Sequence, residues 1–280
     1  MVQTMSELVT RYDNFAASYQ RWWAPVIEPA GLRLLDLVAD AVGRRAGAVI
    51  VDLGAGTGTL ARAAVGRWAT VRAVAVDPSE GMLEAGRAEA TRTLGAPAER
   101  RLRWVRAPAD RLPLPDRSAD VVVSSFAVQH LPSRIAGLRE AHRILQPGGA
   151  IAIVTWIAED WPFEPEKVFD ELIGELGLVR PPVAHVARPF RSLGAAADLV
   201  RRAGFEHVHA SAGVVEHDWT RDSYLAYKLN HGERPLLESL DRKVRARVAT
   251  ITRERLARLA PAAFLYRDPV GYVIGNRPQR

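Results

Sequence analysis

Residues 49–62, VIVDLGAGTGTLAR, constrain the fold more than any other stretch of the 280-residue chain. Val49, Ile50 and Val51 are β-branched and suit a strand buried on both faces, the environment of a parallel sheet. Gly54, Gly56 and Gly58 follow at alternate positions. Without Cβ atoms they can take positive φ and let a ligand reach the backbone. A helix then begins, with Thr57 and Thr59 standing where caps are expected. Such a strand–turn–helix unit presents free backbone N–H groups and a partial positive charge to an anion.

Two kinds of turn compete for this loop. A dinucleotide-binding turn has the spacing G-x-G-x-x-G. Here the third glycine comes one place early, and Thr59 occupies the position that pattern reserves for it. Residues 70–78 form a second apolar strand ending at Asp77, 23 residues beyond Gly54. A carboxylate there can accept hydrogen bonds from both hydroxyls of a ribose. That indicates an adenosine-containing ligand without choosing which one. Ser79 caps the next helix, which carries Met82 and Leu83.

A short strand at 103–106, a turn-rich segment at 107–120 and a fourth buried strand running into a loop at 121–131 follow. Ligands in open α/β sheets sit beyond the carboxyl ends of the strands. Ser125, Phe126 and His130 are therefore expected to face the same crevice as Gly54 and Asp77. His130 is the candidate general base, since an unperturbed imidazole titrates near ~6.5; a histidine that only packs is the alternative. A helix at 136–145 is stopped by Pro147-Gly148-Gly149, and a fifth strand spans 150–156. Five such alternations with right-handed crossovers predict an α/β doubly wound parallel sheet.

Upstream, Phe15, Tyr19, Trp22 and Trp23 share a helical face, which Pro25 is expected to end. This face reads as packing or as a lid over an apolar acceptor pocket. A second helix is expected at 32–42. Beyond residue 157 the pattern weakens: helices at 168–176 and 193–203, a sixth strand at 207–216, two helices within 220–259 and a last strand through 264–275.

Several of these segments fall into one ordered set: D-x-G-x-G-x-G from Asp52 to Gly58, Asp77-Pro78-Ser79-x-x-Met82-Leu83, Leu112-Pro113, Leu145-x-Pro147-Gly148-Gly149 and Ala203-Gly204-Phe205-x-x-Val208. The set resembles the class I S-adenosylmethionine-dependent methyltransferases over roughly residues 12–205. Its nearest likeness is to the small-molecule enzymes of ubiquinone and menaquinone biosynthesis. The resemblance implies a Rossmann-like, seven-stranded, mostly parallel sheet, with the last strand antiparallel between the fifth and sixth. Helical additions would lie at the N-terminus and before the last strand. One methyltransferase domain would span 1–280, with a helical lid at 1–45 and variable acceptor-side segments at 157–191 and 218–262.

The same resemblance implies S-adenosylmethionine bound by Asp52, Gly54, Gly56, Gly58, Asp77, Pro78, Met82, Ala109, Asp110 and Ser125, with S-adenosylhomocysteine as product. Methyl transfer would be a direct in-line displacement. His130 would serve where the acceptor must lose a proton, and Tyr19 would position it. One departure stands out. Pro108 occupies the place of the family's adenine-binding aspartate, so Ala109 would offer its backbone, and Asp110 either supplies a carboxylate from a shifted position or is a solvated turn residue.

Composition narrows the chemistry further. The chain has no cysteine, which excludes disulfides, Cys-ligated clusters and cysteine nucleophiles. No His or carboxylate cluster has metal-ligand spacing, so no metal is expected. The net charge of +6 is carried almost wholly by arginine, with acidic residues interspersed. It is read as compositional bias rather than a nucleic-acid surface. No run of about 18 apolar residues occurs, and residues 1–10 lack a signal-peptide pattern. A cytoplasmic enzyme with no membrane insertion is expected.

The expected partner is a small, apolar or aromatic acceptor methylated on O, N or C, on account of Trp22, Trp23, Trp156, Trp161 and Phe163. Nucleic acid is not expected, and a homodimer is left open. The alternatives are a nucleic-acid or protein methyltransferase, a non-enzymatic S-adenosylmethionine-binding protein and, as an outsider, a nicotinamide oxidoreductase.

Overall fold

A computed structural model describes residues 5–159, 161–181 and 189–280. The N-terminal layer is helical: α1 (Met5–Ser18), α2 (Ala24–Leu37) and α3 (Ala39–Gly43). Strands and helices then alternate through β1 (Val49–Leu53), α4 (Thr59–Arg67), β2 (Arg72–Asp77), α5 (Glu80–Thr93), the short α6 (Ala96–Glu99), β3 (Leu102–Arg106), β4 (Ala119–Ser125), α7 (Arg134–Ile144) and β5 (Leu145–Trp156). The C-terminal part adds α8 (Glu164–Glu175), α9 (Leu193–Arg202), β6 (Glu206–Asp218), α10 (Arg221–Tyr227), α11 (Arg234–Ser239), α12 (Arg242–Leu256) and β7 (Leu265–Asn276).

The seven strands form one sheet in the order β3-β2-β1-β4-β5-β7-β6. Pairing is parallel from β3 to β5, and β7 runs antiparallel to both β5 and β6. The expected doubly wound sheet and the place of its last strand are thus observed. Successive side chains on a strand point to opposite faces, and this divides the core. Val51, Leu53, Val122, Ile151 and Ile153 pack with Leu138 and Ile144 of α7 and Val200 of α9. Ile50, Val121, Val123, Ala152 and Val154 pack on the other face with Leu34 and Leu35 of α2 and Leu60 of α4. A separate cluster joins Phe169, Leu172 and Ile173 of α8 to Leu236 and Leu237 of α11 and Val248 of α12.

Three local expectations are corrected. Pro25 does not end the first helix: it sits in the first turn of α2, where a missing N–H costs nothing. The chain passes from α1 into α2 through a wide π-turn at Tyr19–Trp23. Neither Thr57 nor Thr59 caps α4; its N-cap is Gly58, in the left-handed region with no side-chain cap. The 220–259 segment holds three helices and a second π-turn, Lys228–Gly232, rather than two helices. Residues 182–188 of the acceptor-side segment, and Asp160, lie outside the described residues.

Candidate active site

The carboxyl ends of β1, β2 and β4 meet where the strand order reverses, the position at which open α/β sheets take ligands. Gly54, Gly56 and Gly58 all have positive φ, at 69°, 54° and 71°. Their amides are largely committed inside the protein. Gly54 N and Ala55 N donate to Val76 O at 2.8 and 2.9 Å, and Gly58 N donates to Ala55 O at 2.8 Å. Gly56 N donates to Oδ2 of Asp77 at 2.8 Å, and Ser79 N to its Oδ1 at 2.9 Å. The loop is therefore built onto β2, and Asp77 is fixed by it. The close approach matters most at Gly54, where a Cβ would lie 2.3 Å from Cβ of Ala127.

Burial pushes the Asp77 carboxyl up to about 6, against the two backbone hydrogen bonds that favour its charged form. Asp52 stands behind the loop, 2% exposed, and its Oδ2 accepts from Ala61 N at 3.1 Å. Asp52 thus takes the Ala61 amide in the first turn of α4. Burial holds Asp52 up to about 7.

Over the strand ends lies a cavity of about 350 Å3. Its floor includes Gly54, Gly56, Asp77, Pro78, Met82, Ala109 and Ser125, and its roof Tyr12, Phe15, Tyr19 and Trp23. Ser79 caps α5 as expected, with Oγ accepting from Met82 N at 3.1 Å. The roof is pinned to the floor by Asp13 of α1. Its Oδ1 accepts from Ser79 Oγ at 2.6 Å and from Gly81 N at 2.9 Å, at the N-terminus of α5. Gly81 is bare at that contact: a Cβ there would lie 2.8 Å from both Cα and O of Asp13.

His130 also borders the cavity, and the Tyr12 hydroxyl lies 3.4 Å from its Nε2. Burial pushes the Tyr12 phenol up to about 12, which keeps it protonated. Phe126 has φ 51°, an unusual conformation for a bulky residue. It turns β4 toward the cavity, and its ring lies 4.4 Å from that of Trp156.

Not every predicted site residue comes together here. Asp52 borders only a small recess of about 40 Å3 behind the loop. Gly58 is outside the cavity lining, and a Cβ on it would meet the Trp104 ring at 2.5 Å. Asp110 is an exposed turn residue. Of the aromatics expected around the acceptor, Trp23 and Trp156 line the cavity. Phe163 instead packs on Tyr224 and Tyr266, and Trp161 is 41% exposed. Sequence reading missed Asp13, Gln129, Tyr227 and His231, all at or beside the cavity. Gln129 adjoins His130, and its Oε1 accepts from the buried Thr155 hydroxyl at 2.6 Å.

The arrangement fits S-adenosylmethionine. Asp77 keeps lone pairs for a ribose diol, since each carboxylate oxygen can accept twice. Met82 and Ala109 offer apolar surface for a base, and Gly56 presents backbone without a side chain. The opposite end is walled by aromatic rings.

The comparisons agree with this geometry. The family model described as a methyltransferase domain matches residues 51–153. Nocamycin O-methyltransferase of Saccharothrix syringae is 30% identical over 281 residues, covering 95% of this chain and 96% of that one. Demethylmenaquinone methyltransferase of Clavibacter sepedonicus is 44% identical over 40% of this chain and 43% of its own length. The ubiquinone/menaquinone biosynthesis C-methyltransferase UbiE of Rubrivivax gelatinosus is 33% identical over 59% and 65%. The chain thus spans less than two thirds of these last two relatives.

Among solved structures, the cyclase SpnF aligns with a TM-score of 0.56 at 18% identity, over 88% of this chain and 81% of that one. The YcgJ protein of Bacillus subtilis aligns with 0.55 at 18%, over 89% and 99%. These likenesses show a shared fold. With a 30% identical relative matched over 95% of the chain, the same sheet and a cavity suited to the methyl donor, the chain belongs to the class I S-adenosylmethionine-dependent methyltransferases.

Proposed function

We propose that the protein transfers the methyl group of S-adenosylmethionine to an oxygen of a small aromatic acceptor. The observation that carries this reading is one continuous cavity that has the Asp77–Gly56 floor at one end and aromatic rings at the other. Oxygen is favoured over nitrogen and carbon because the relative matched over 96% of its length is named as an O-methyltransferase.

When bound, the donor supplies a sulfonium-activated methyl group. The protein's own contribution is positional. Asp77 orients the ribose, Met82 and Ala109 hold the base, and the roof helix excludes water from the reacting atoms. His130 takes the acceptor's hydroxyl proton on Nε2, with Tyr12 and Tyr19 shaping the approach. The experiment is isothermal titration with S-adenosylhomocysteine and with NADH, followed by methylation of a panel of phenols scored by mass. Binding of S-adenosylhomocysteine and a gain of one methyl on oxygen are expected. His130→Ala should lower turnover roughly 100-fold at unchanged S-adenosylhomocysteine affinity. Preference for NADH, or methylation of nucleic acid instead of phenols, would reject the reading.

A further inference from the structure

Two π-turns meet over the aromatic end of the cavity. Insertions of this kind widen a helix locally and are frequent at functional sites. Tyr19–Trp23 lies between α1 and α2, and Lys228–Gly232 between α10 and α11. Trp23 stacks on Tyr227 with ring centroids 5.8 Å apart at 21°. The second π-turn turns His231 into the gap, against Phe15 at 6.2 Å, Tyr19 at 6.4 Å and Tyr227 at 5.8 Å. His231 borders the cavity.

The proton on this ring can be placed by counting donors. Ser18 Oγ has one hydrogen. It lies 3.0 Å from Phe15 O, which can only accept, and 3.0 Å from Nδ1 of His231. Both bonds form together only if the serine donates to the carbonyl and the histidine Nδ1–H donates to the serine. The opposite tautomer keeps one bond and loses the other. Nδ1 therefore carries the hydrogen, and Nε2 is left with a lone pair.

The charged and titratable groups around the ring act in one direction. Arg11 from α1 and Arg234 from α11 are the nearby cations, and Tyr19 and Tyr227 are protonated phenols. Burial, with those two arginines, pushes the imidazole down to about 4. The ring is neutral at physiological pH and cannot donate from Nε2.

We propose that His231 is an acceptor-recognition residue: the Ser18–Phe15 relay holds it as the Nδ1–H tautomer, so its Nε2 accepts a hydrogen bond from a hydroxyl on an aromatic methyl acceptor. The donor end of the cavity plays no part in this. The inference deepens the methyltransferase reading and rests on it for the identity of the ligand. This hydroxyl is a second one on the ring, distinct from the hydroxyl whose proton goes to His130, and a hydroxyl is selected over a methyl ether at that position because only the hydroxyl satisfies a nitrogen that cannot donate.

Two measurements test it on the intact protein. The first is long-range 1H–15N correlation with 15N-histidine, the His231 signal being identified by its loss in His231→Gln. A neutral Nδ1–H pattern between pH 6 and 8 is expected, shifting toward the other tautomer in Ser18→Ala. A predominant Nε2–H pattern in the wild type overturns the proposal.

The second is calorimetry with 1-naphthol and 1-methoxynaphthalene on protein saturated with S-adenosylhomocysteine. The naphthol should bind about tenfold more tightly, and His231→Ala should bring the ratio near one while S-adenosylhomocysteine affinity is retained. A wild-type ratio below about threefold, absence of naphthol binding, or an unchanged ratio in His231→Ala overturns it. Failure of S-adenosylhomocysteine to bind the wild type would instead strike the methyltransferase reading, leaving the tautomer result to decide the geometry alone.

Discussion

Asp52 and Asp77 are two acids from one motif region with different work to do. Asp77 faces the cavity with both oxygens anchored, whereas Asp52 is sealed behind the loop at the head of α4. Burial raises both in the folded chain, to about 7 for Asp52 and about 6 for Asp77, from an ordinary value of 3.8. The native state therefore holds protons that the unfolded chain has released. The resulting stabilisation is complete below pH 3.8 and is lost as pH rises through 6 and 7. Glu89, Glu140 and Glu175 are held down by arginine partners and act oppositely, but only as pH falls below their ordinary 4.5. Three histidines act against the pair: burial holds His142, His217 and His231 below their ordinary 6.5, so the native state is short of protons there and that penalty is relieved as pH rises through 6.5. The acids are therefore read as a difference between two proteins. Asp52→Asn should gain stability relative to the wild type as pH rises from 5 to 8, by roughly 2–4 kcal/mol at pH 8. Calorimetric melts of both proteins across the range check this, and a difference that does not change with pH would refute it. Asp77→Asn should weaken S-adenosylhomocysteine binding about tenfold or more, and Asp52→Asn much less, as titration of both variants would show. Gly54, Asp77 and Ser125 were legible because local patterns place them at strand ends, and Met82 because it follows the Ser79 cap of α5. His231 was not, because its partner Ser18 is 213 residues away and no local pattern marks the pair.

At the scale of elements, α1 behaves as a roof whose anchor on α5 is Asp13. The Asp13 carboxylate sits on the N-terminus of α5, where a negative charge offsets unpaired amides and the helix dipole. Gly81 makes the approach possible. Adding a single methyl there puts carbon 2.8 Å from backbone atoms of Asp13, which cannot swing aside as a side-chain end can. Gly81→Ala and Asp13→Ala should therefore lift α1 in different ways, one by a clash and one by loss of the anchor. Hydrogen exchange in 5–18 should quicken in both, with S-adenosylhomocysteine affinity falling about tenfold. The melting temperature should fall little, since the sheet clusters do not include Asp13 or Gly81. Protection of α1 unchanged in both variants would rule the fastening out. The sequence showed an aromatic helix face here but misplaced its end. Pro25 carries two meanings, helix stop and helix first turn, and only the tertiary contacts of Trp23 with Tyr227, Trp156 and Tyr266 select the second.

At the scale of the whole molecule, the two ends of the cavity have different construction. The donor end is set by β1, β2 and β4, strands whose apolar runs and following turns were readable in advance as parts of a doubly wound sheet. The aromatic end depends on α8 and α10–α12, where hydrophobic periodicity is broken by short helices and a π-turn. What fixes this second region is an ionic core. Lys228, 2% exposed, binds Glu166 at 2.6 Å and Glu233 at 3.1 Å, and lies 4.7 Å over the Phe169 ring. Arg180 braces Glu233 from outside, and the Tyr224 hydroxyl donates to Glu166 at 2.8 Å. Lys228 begins the π-turn that carries His231, so the ionic core sets where that ring stands. Removing the ammonium leaves the buried Glu233 with Arg180 alone and the half-exposed Glu166 with the Tyr224 hydroxyl, a loss of about 1–3 kcal/mol for charged groups left short of a partner. Lys228→Met should therefore cost stability of that order. It should also abolish the preference for 1-naphthol while S-adenosylhomocysteine binds within about threefold of the wild type. Lys228→Met with Glu166→Gln and Glu233→Gln removes the stranded charges and should regain part of the stability, but not the preference, because the anchor of the π-turn is still gone. Equal loss of both ligands in the single variant would mean that the cavity is one cooperative unit and that its two ends are not separately built.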